Sequence, residues 1–405
     1  MKRWKIFLPL LLLLLLCACG QKDPAPVTDE PPEGPPAQEE ASDDFSGRPE
    51  DWENQALWYW KDMSWEDHLE LKYAQSFAVD FEEGGFARIT INGIVHLLVP
   101  EGLNAPPDTP DDVVILQQPL DHIYLQATAA MDCFRQLDAI DAITLSGTQA
   151  DGWYIPEARK AMEDGKMIYA GKYSAPDYEL IVDQGCDMAL ESTMIYHNPE
   201  VKEQLERFGI PVLVERSSYE SHPLGRMEWI KLYGVLLGKQ EEAEAYFDQQ
   251  LEHLEPVLEQ ENTGKTVAFF SVTSNGSVTV RKAGDYIAKA IGLAGGVYVF
   301  DGLEAEEENA LSTVNIQMET FYDTAKDADV LIYNSAIEAS LQTIGELVAK
   351  SAPLADFKAV QSGSVWCTGK SMFQESQSVG DMILDIHAIL TGEGVEDMNY
   401  LYRLE

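Results

Sequence analysis

Apolar residues fall into three regimes along the chain. The first is an unbroken run, Ile6 to Leu16, preceded by Lys2, Arg3 and Lys5. A run of about eleven residues is too short to span a bilayer stably and has the form of a signal-peptide core behind a positive n-region. The second regime begins near Ala74. Phe86-Ala-Arg-Ile-Thr-Ile-Asn92 alternates apolar and polar residues, and Gly93 leads into Ile94–Val99. That period of two predicts a hairpin. Val113–Leu116 and Ile123–Leu125 read as further short strands.

The third regime repeats strand then helix. Met131–Leu137 reads as helix, Ala142–Leu145 as strand, Pro156–Met162 as helix and Met167–Ala170 as strand. Pro176–Gln184, Asp187–Leu190, Pro199–Phe208 and Pro211–Val214 continue the alternation. Such a series predicts an α/β lobe on a mainly parallel sheet. From Pro223 to Leu258 the period is helical, with Met227, Ile230, Tyr233, Leu236 and Leu237 on one pattern and Gly238 as a candidate break. A second series follows: strands at Thr266–Val272, Val297–Phe300, Val330–Tyr333 and Val365–Cys367, and helices at Asp285–Leu293, Met318–Ala325, Ser340–Lys350 and Val379–Leu390. The predicted architecture is two Rossmann-like α/β lobes, 56–222 and 259–405, bridged by a long rigid helical segment, 223–258, with a ligand cleft between the lobes.

The chain has 405 residues, 45% of them hydrophobic, enough for two cores. It carries 28 Lys and Arg against 69 Asp and Glu, a net charge of −41. Phosphate backbones would repel it, so nucleic acid is excluded as a partner. The signal run ends in Leu16-Cys17-Ala18-Cys19, which resembles a bacterial lipobox. Cleavage after residue 18 would leave Cys19 to carry a lipid anchor, placing the protein outside the cytoplasm on the bacterial cell membrane. Residues 19–55 hold Pro24, Pro26, Pro31, Pro32, Pro35, Pro36 and Pro49 among many acids and read as an extended tether. Cys133, Cys186 and Cys367 remain. None forms a Cys-x-x-Cys pair; free thiols are expected, with a Cys133–Cys186 disulfide the alternative in an exported protein.

An ordered set of marks from Asp121 to Thr391 resembles the solute-binding proteins of ABC importers for iron–siderophores, haem and cobalamin. Ile123-Tyr-Leu-Gln-Ala-Thr128 resembles the opening strand. Gly171-Lys-Tyr-Ser-Ala-Pro-Asp-Tyr-Glu179 with Gly185-Cys-Asp-Met-Ala-Leu190 resembles a loop, a glutamate-bearing helix and an Asp-led strand. Trp229-Ile-Lys-Leu-Tyr-Gly-Val-Leu-Leu-Gly238 looks like the bridging helix. Gly284-Asp-Tyr-Ile287 to Ala294-Gly-Gly296, and Val314-Asn-Ile-Gln-Met-Glu319 before Asp327-Ala-Asp-Val-Leu-Ile332, resemble the matching parts of the second lobe. Ala74–Pro100 holds more strand than that family implies.

The resemblance implies a monomeric receptor lipoprotein that delivers an iron chelate, haem or cobalamin to ABC permease subunits and their ATPases, with no cofactor and no catalysis of its own. It further implies that Glu179 and Glu319 dock the permease, against the plainer reading of helix-start carboxylates favoured by the macrodipole. Loops after strands supply the ligand-binding candidates Arg281, Arg216, Tyr219, Tyr173, Lys282 and Trp366. Arginine can grip carboxylates or catecholates, and aromatics can cover a macrocycle. Capture of bare zinc or manganese is the alternative, and a transporter-independent sensor is another. The histidines form no evident set of three or four ligands, although His197 and His222 follow N-lobe strands. No His-Glu-x-x-His, Gly-x-Ser-x-Gly or phosphate-binding loop occurs in the chain, which argues against an enzyme.

Overall fold

The computed structural model describes residues 58–303, 313–336 and 340–405. The signal segment 1–18, Cys19 and the 19–55 tether lie outside the described residues. The first sheet has five strands: β1 (Asp67–His68), β2 (Phe77–Phe81), β3 (Ala87–Ile91), β4 (Ile94–Val99) and β5 (Val114–Gln117), paired in chain order. The predicted hairpin is β3–β4. Its two-residue turn is Asn92-Gly93, with φ of 50° and 80°, the left-handed pair that matches strand twist and that Asn-Gly adopts at low cost. Ala87, Ile89 and Ile91 face the main core. On the opposite face Phe86, Leu97 and Val99 are roofed by half-buried Trp58, Trp60, Met63 and Trp65.

The N-lobe's parallel sheet starts only at β6 (Ile123–Leu125), followed by β7 (Ile143–Ser146), β8 (Ile168–Tyr169), a small hairpin of β9 (Gly171–Lys172) and β10 (Ala175–Pro176), then β11 (Met188–Ser192) and β12 (Val212–Glu215). The order β12-β11-β6-β7-β8 is parallel throughout. Four of the five residues of β11 are buried, as in a strand covered on both faces. Helices α1 (Met131–Gln136), α2 (Pro156–Glu163), α3 (Tyr178–Asp183) and α4 (Pro199–Arg207) alternate with these strands. Proline opens α2 and α4, and the Asp177 carboxylate caps α3 by accepting from Leu180 N at 3.1 Å. The segment 56–222 therefore contains two five-stranded sheets and the two-stranded β9–β10 hairpin.

The bridging segment is also divided. It forms α5 (Pro223–Glu228), α6 (Ile230–Leu237) and α7 (Gln240–Leu258). Gly238 ends α6 at φ 65°, and the chain turns so that α6 packs on α7. The contact is close enough that a Cβ on Gly234 would lie 2.5 Å from Ala243 Cβ. The stretch 229–238 is thus a core helix packed on α7, which with 19 residues is the longest helix among the described residues.

The C-lobe sheet comprises β13 (Thr266–Val272), β14 (Val278–Arg281), β15 (Val297–Tyr298), β16 (Thr313–Ile316), β17 (Val330–Tyr333), β18 (Val365–Thr368) and β19 (Leu401–Arg403). Its path is β16-β14-β13-β17-β18-β19, with β15 also on β13. Helices α8 (Tyr286–Leu293), α9 (Met318–Ala325), α10 (Ile344–Lys350), α11 (Lys358–Ser362) and α12 (Val379–Thr391) complete it.

The first sheet is tied to the bridge by two carboxylates. Glu228 on α5, fully buried, accepts from the backbone N–H groups of Lys72, Tyr73 and Ala74 at 2.7–3.0 Å and pairs with Lys231 Nζ at 3.0 Å. Glu220 Oε1 accepts from Gln75 N, Ser76 N and Trp229 Nε1 at 2.8–3.1 Å. Five successive N–H groups that pair with no neighbouring strand are satisfied in this way.

Candidate functional site

Parallel strands deliver their following loops to one edge of a sheet, and ligands bind there. In the N-lobe that edge carries the segments after β6, β7, β11 and β12. In the C-lobe it carries those after β17 and β18. The two edges meet through residues 374–377. The Gln374 side-chain amide accepts from Tyr154 N and donates to Gly152 O, both at 2.7 Å. Ser376 Oγ donates to Ala129 O at 2.9 Å, and Gln377 N donates to Asp132 Oδ2 at 2.8 Å. Asp132 is fully buried and ion-paired with Arg135, whose guanidinium also lies 3.6 Å from Glu375 of the C-lobe. Burial raises the Asp132 pKa, opposed by the Arg135 charge.

On the loops that follow the strands, several large side chains stay open to solvent. Tyr154 after β7 is 42% exposed, Met194 and Tyr196 after β11 are each 44%, and Phe373 after β18 is 41%. Tyr154 and Phe373 come from opposite lobes, and each adjoins an atom of the Gln374 bridge. A rim of large apolar side chains on facing loops can cover the faces of a flat or bulky ligand.

The predicted ligand residues separate into groups. Arg216 and Tyr219 lie together after β12: the guanidinium sits 4.2 Å above the Tyr219 ring, and Tyr219 OH is 3.1 Å from Thr193 Oγ1. Tyr173 is half-buried at the tip of the β9–β10 hairpin. Arg281 is buried at the end of β14, 3.6 Å from Asp285 and 5.7 Å from the Phe269 ring. Lys282 follows it, half-buried. Trp366 stands inside β18, buried, with Arg403 of β19 5.9 Å from its ring, so it packs within the sheet and not on the loop edge. Glu179 and Glu319 are in the first turns of α3 and α9. Both are open to solvent.

Sequence reasoning missed Tyr154, Gln374 and Arg226. Arg226 on α5 lies 3.5 Å from the ring of Tyr286 on α8, a cation–π contact that joins the bridge to the C-lobe. Glu191, at the end of β11, is fully buried and neither carboxylate oxygen has a partner. Burial pushes its pKa up to about 8.

His222 Nδ1 accepts from Leu224 N, capping α5, and the ring stacks on Tyr73. Among the described residues, Asp121, His122 and Asp187 form a group with ligand atoms within 4.8 Å of one another. It lies where β6 and β11 begin, at the sheet edge opposite the loop rim. Cys133, Cys186 and Cys367 are free thiols. No described helix is long and apolar enough to cross a membrane.

Two α/β lobes joined across their loop edges give the chain a bilobal architecture. The chain belongs to the periplasmic binding protein family, which it matches over residues 135–371. An uncharacterized lipoprotein of Methanocaldococcus jannaschii is 28% identical over 244 residues, 60% of this chain and 56% of that one. A second from that organism is 26% identical, over 62% and 65% of the two chains. The chain thus spans little more than half the length of the first of these relatives. Similar solved folds include a periplasmic heme binding protein from Pseudomonas aeruginosa, at 16% identity and TM-score 0.52, covering 67% of this chain and 93% of that one. A periplasmic binding protein from Veillonella parvula has 16% identity and TM-score 0.53, over 67% and 91%. Residues 67–117, with their own sheet, precede the family match.

Proposed function

We propose that this protein is the extracytoplasmic solute-binding lipoprotein of an ABC importer and carries an iron–siderophore, haem or cobalamin between its lobes. The observation that supports this best is the open apolar rim of Tyr154, Met194, Tyr196 and Phe373 on loops of both lobes. Water has little to gain from these side chains, whereas a ligand of tetrapyrrole or chelate size buries several at once. Arg216, directly after β12, adds positive charge on the N-lobe side. A ligand touching both loop edges stabilises the closed arrangement by its differential contacts, and the α7 bridge keeps the motion small. In this reading Cys19 bears the lipid anchor, and Glu179 and Glu319 meet arginines of the permease.

The test is direct binding to residues 20–405, followed by tryptophan fluorescence. The panel is ferric catecholate and hydroxamate siderophores, haemin, cobalamin, zinc and manganese. Saturable one-to-one binding of one chelate, weakened by Tyr154→Ala and Phe373→Ala, is expected. Binding of a bare ion alone would move the reading to metal capture. Silence throughout would refute cargo binding of this type.

A further inference from the structure

The first sheet and the N-lobe together flank a groove of about 410 Å3. Gln75, Ser76, Ala78, Thr90 and Asn92 line it from the sheet side, and Arg216 lines it from the N-lobe side. Its charge is exceptional here. Acids outnumber cations 69 to 28 in the chain, yet no carboxylate lines this groove and an arginine does.

The neighbouring acids are committed elsewhere. Glu215 is buried, with Oε1 accepting from Ser217 N at 2.7 Å. Glu220 Oε1 takes Gln75 N, Ser76 N and Trp229 Nε1. Arg216 itself makes no ion pair among the described residues; it lies over the Tyr219 ring, and that phenol is tethered to Thr193. A guanidinium held by its cation–π contact still has N–H donors to offer, and arginine can hold a carboxylate by two parallel bonds. The side chains of Gln75, Ser76, Thr90 and Asn92 have no hydrogen-bond partner among the described residues, so amide and hydroxyl donors stand around the same space.

We propose that this groove binds a carboxylate, with Arg216 as its bidentate partner. The site lies partly outside the family match, because four of its polar residues belong to the added sheet. Arg216 directly follows the carboxyl end of β12, on the ligand-facing edge of the N-lobe. A carboxylate arm of a cargo molecule and a free small carboxylate therefore present the same chemistry to it. The first source rests on the receptor reading above; the second does not.

The experiment uses residues 20–405, wild type and the variants Arg216→Ala, Arg216→Lys and Asn92→Asp. Asp-Gly suits the same turn as Asn-Gly, so Asn92→Asp adds a negative charge to the groove while the hairpin is kept; thermal unfolding checks this. Calorimetry at low ionic strength measures citrate, a compact tricarboxylate, and the same chelate panel. Citrate binding that falls about tenfold or more in Arg216→Ala and Asn92→Asp, with partial recovery in Arg216→Lys, establishes a free-carboxylate site. No citrate binding, but a similar loss of affinity for a carboxylate-bearing chelate in both variants, assigns the groove to an arm of the cargo. Citrate and chelate affinities unchanged by both variants, or no binding of either, overturn the proposal. If no chelate binds any form, the citrate series alone decides, so failure of the receptor reading is separable from failure of the groove.

Discussion

Replacing Glu228 with alanine should detach the first sheet from the bridge. The carboxylate accepts three backbone N–H groups and pairs with the Lys231 ammonium, which is only 6% exposed. Lys231 Nζ keeps the Glu70 carbonyl at 2.9 Å and the face of the Phe247 ring at 4.9 Å, neither of which carries a charge. Truncation leaves a buried cation without its counter-charge, which costs about 3–5 kcal/mol when one partner of a buried pair is removed. It also orphans Ala74 N, which is buried, at about 1–3 kcal/mol, whereas water can reach Lys72 N and relieve part of the loss. These costs overlap, and a total of about 4 kcal/mol is expected. Glu228→Gln should cost less, because one carbonyl oxygen still accepts while the new NH2 faces donors. Urea titration reads the stability, and hydrogen exchange at Lys72, Tyr73 and Ala74 reads the local release. A cost below about 1 kcal/mol, with those amides still protected, would show that the sheet is held by its apolar face alone and would refute the reasoning.

Two pH effects follow from buried groups. His96 in β4 is 1% exposed with neither ring nitrogen hydrogen-bonded, and burial lowers its pKa to about 4. The unfolded chain protonates near pH 6.5 and the folded one does not, so stability should fall from pH 6.5 down to about 4 by about 3 kcal/mol; His96→Gln should flatten that slope in pH-dependent urea unfolding. Glu191 has the opposite sign. Its folded pKa is raised to about 8, so the unfolded chain loses the proton first and stability should decline as pH rises from 4.5 to 8. Glu191→Gln should therefore stabilise the protein above pH 8. The gain is on the order of 1.4 kcal/mol for every pH step between the unfolded and folded midpoints, and an unchanged melting temperature there would sink the argument.

Local pattern carried most of the α/β grammar. Thr266–Val272 and Val330–Tyr333 are strands at the predicted limits, and Pro199 opens a helix as its ring requires. These elements are legible because a parallel strand covered on both faces is an unbroken apolar run, and because proline and glycine act on the residues beside them. The loop after β12, with Arg216 and Tyr219, was legible for the same reason: it follows a recognisable strand. The strand that holds Trp366 was legible too, but its buried packing beside Arg403 was not, because that partner strand lies far along the chain.

What sequence alone determined is thus the order of strands and helices, the charge and the loops that end each strand. These depend on nearest neighbours and on a hydrophobic period. Tertiary structure decided the rest. It folded α6 back on α7 through the contact of Gly234 with Ala243, and it tied the first sheet to the bridge by committing Glu220 and Glu228 to the backbone of residues 72–76. It also joined the lobes through Gln374, 220 residues from Tyr154. A polar side chain looks the same in a sequence whether it faces water or satisfies a distant backbone. Only the packed chain decides which, because burial without a partner is too costly to persist.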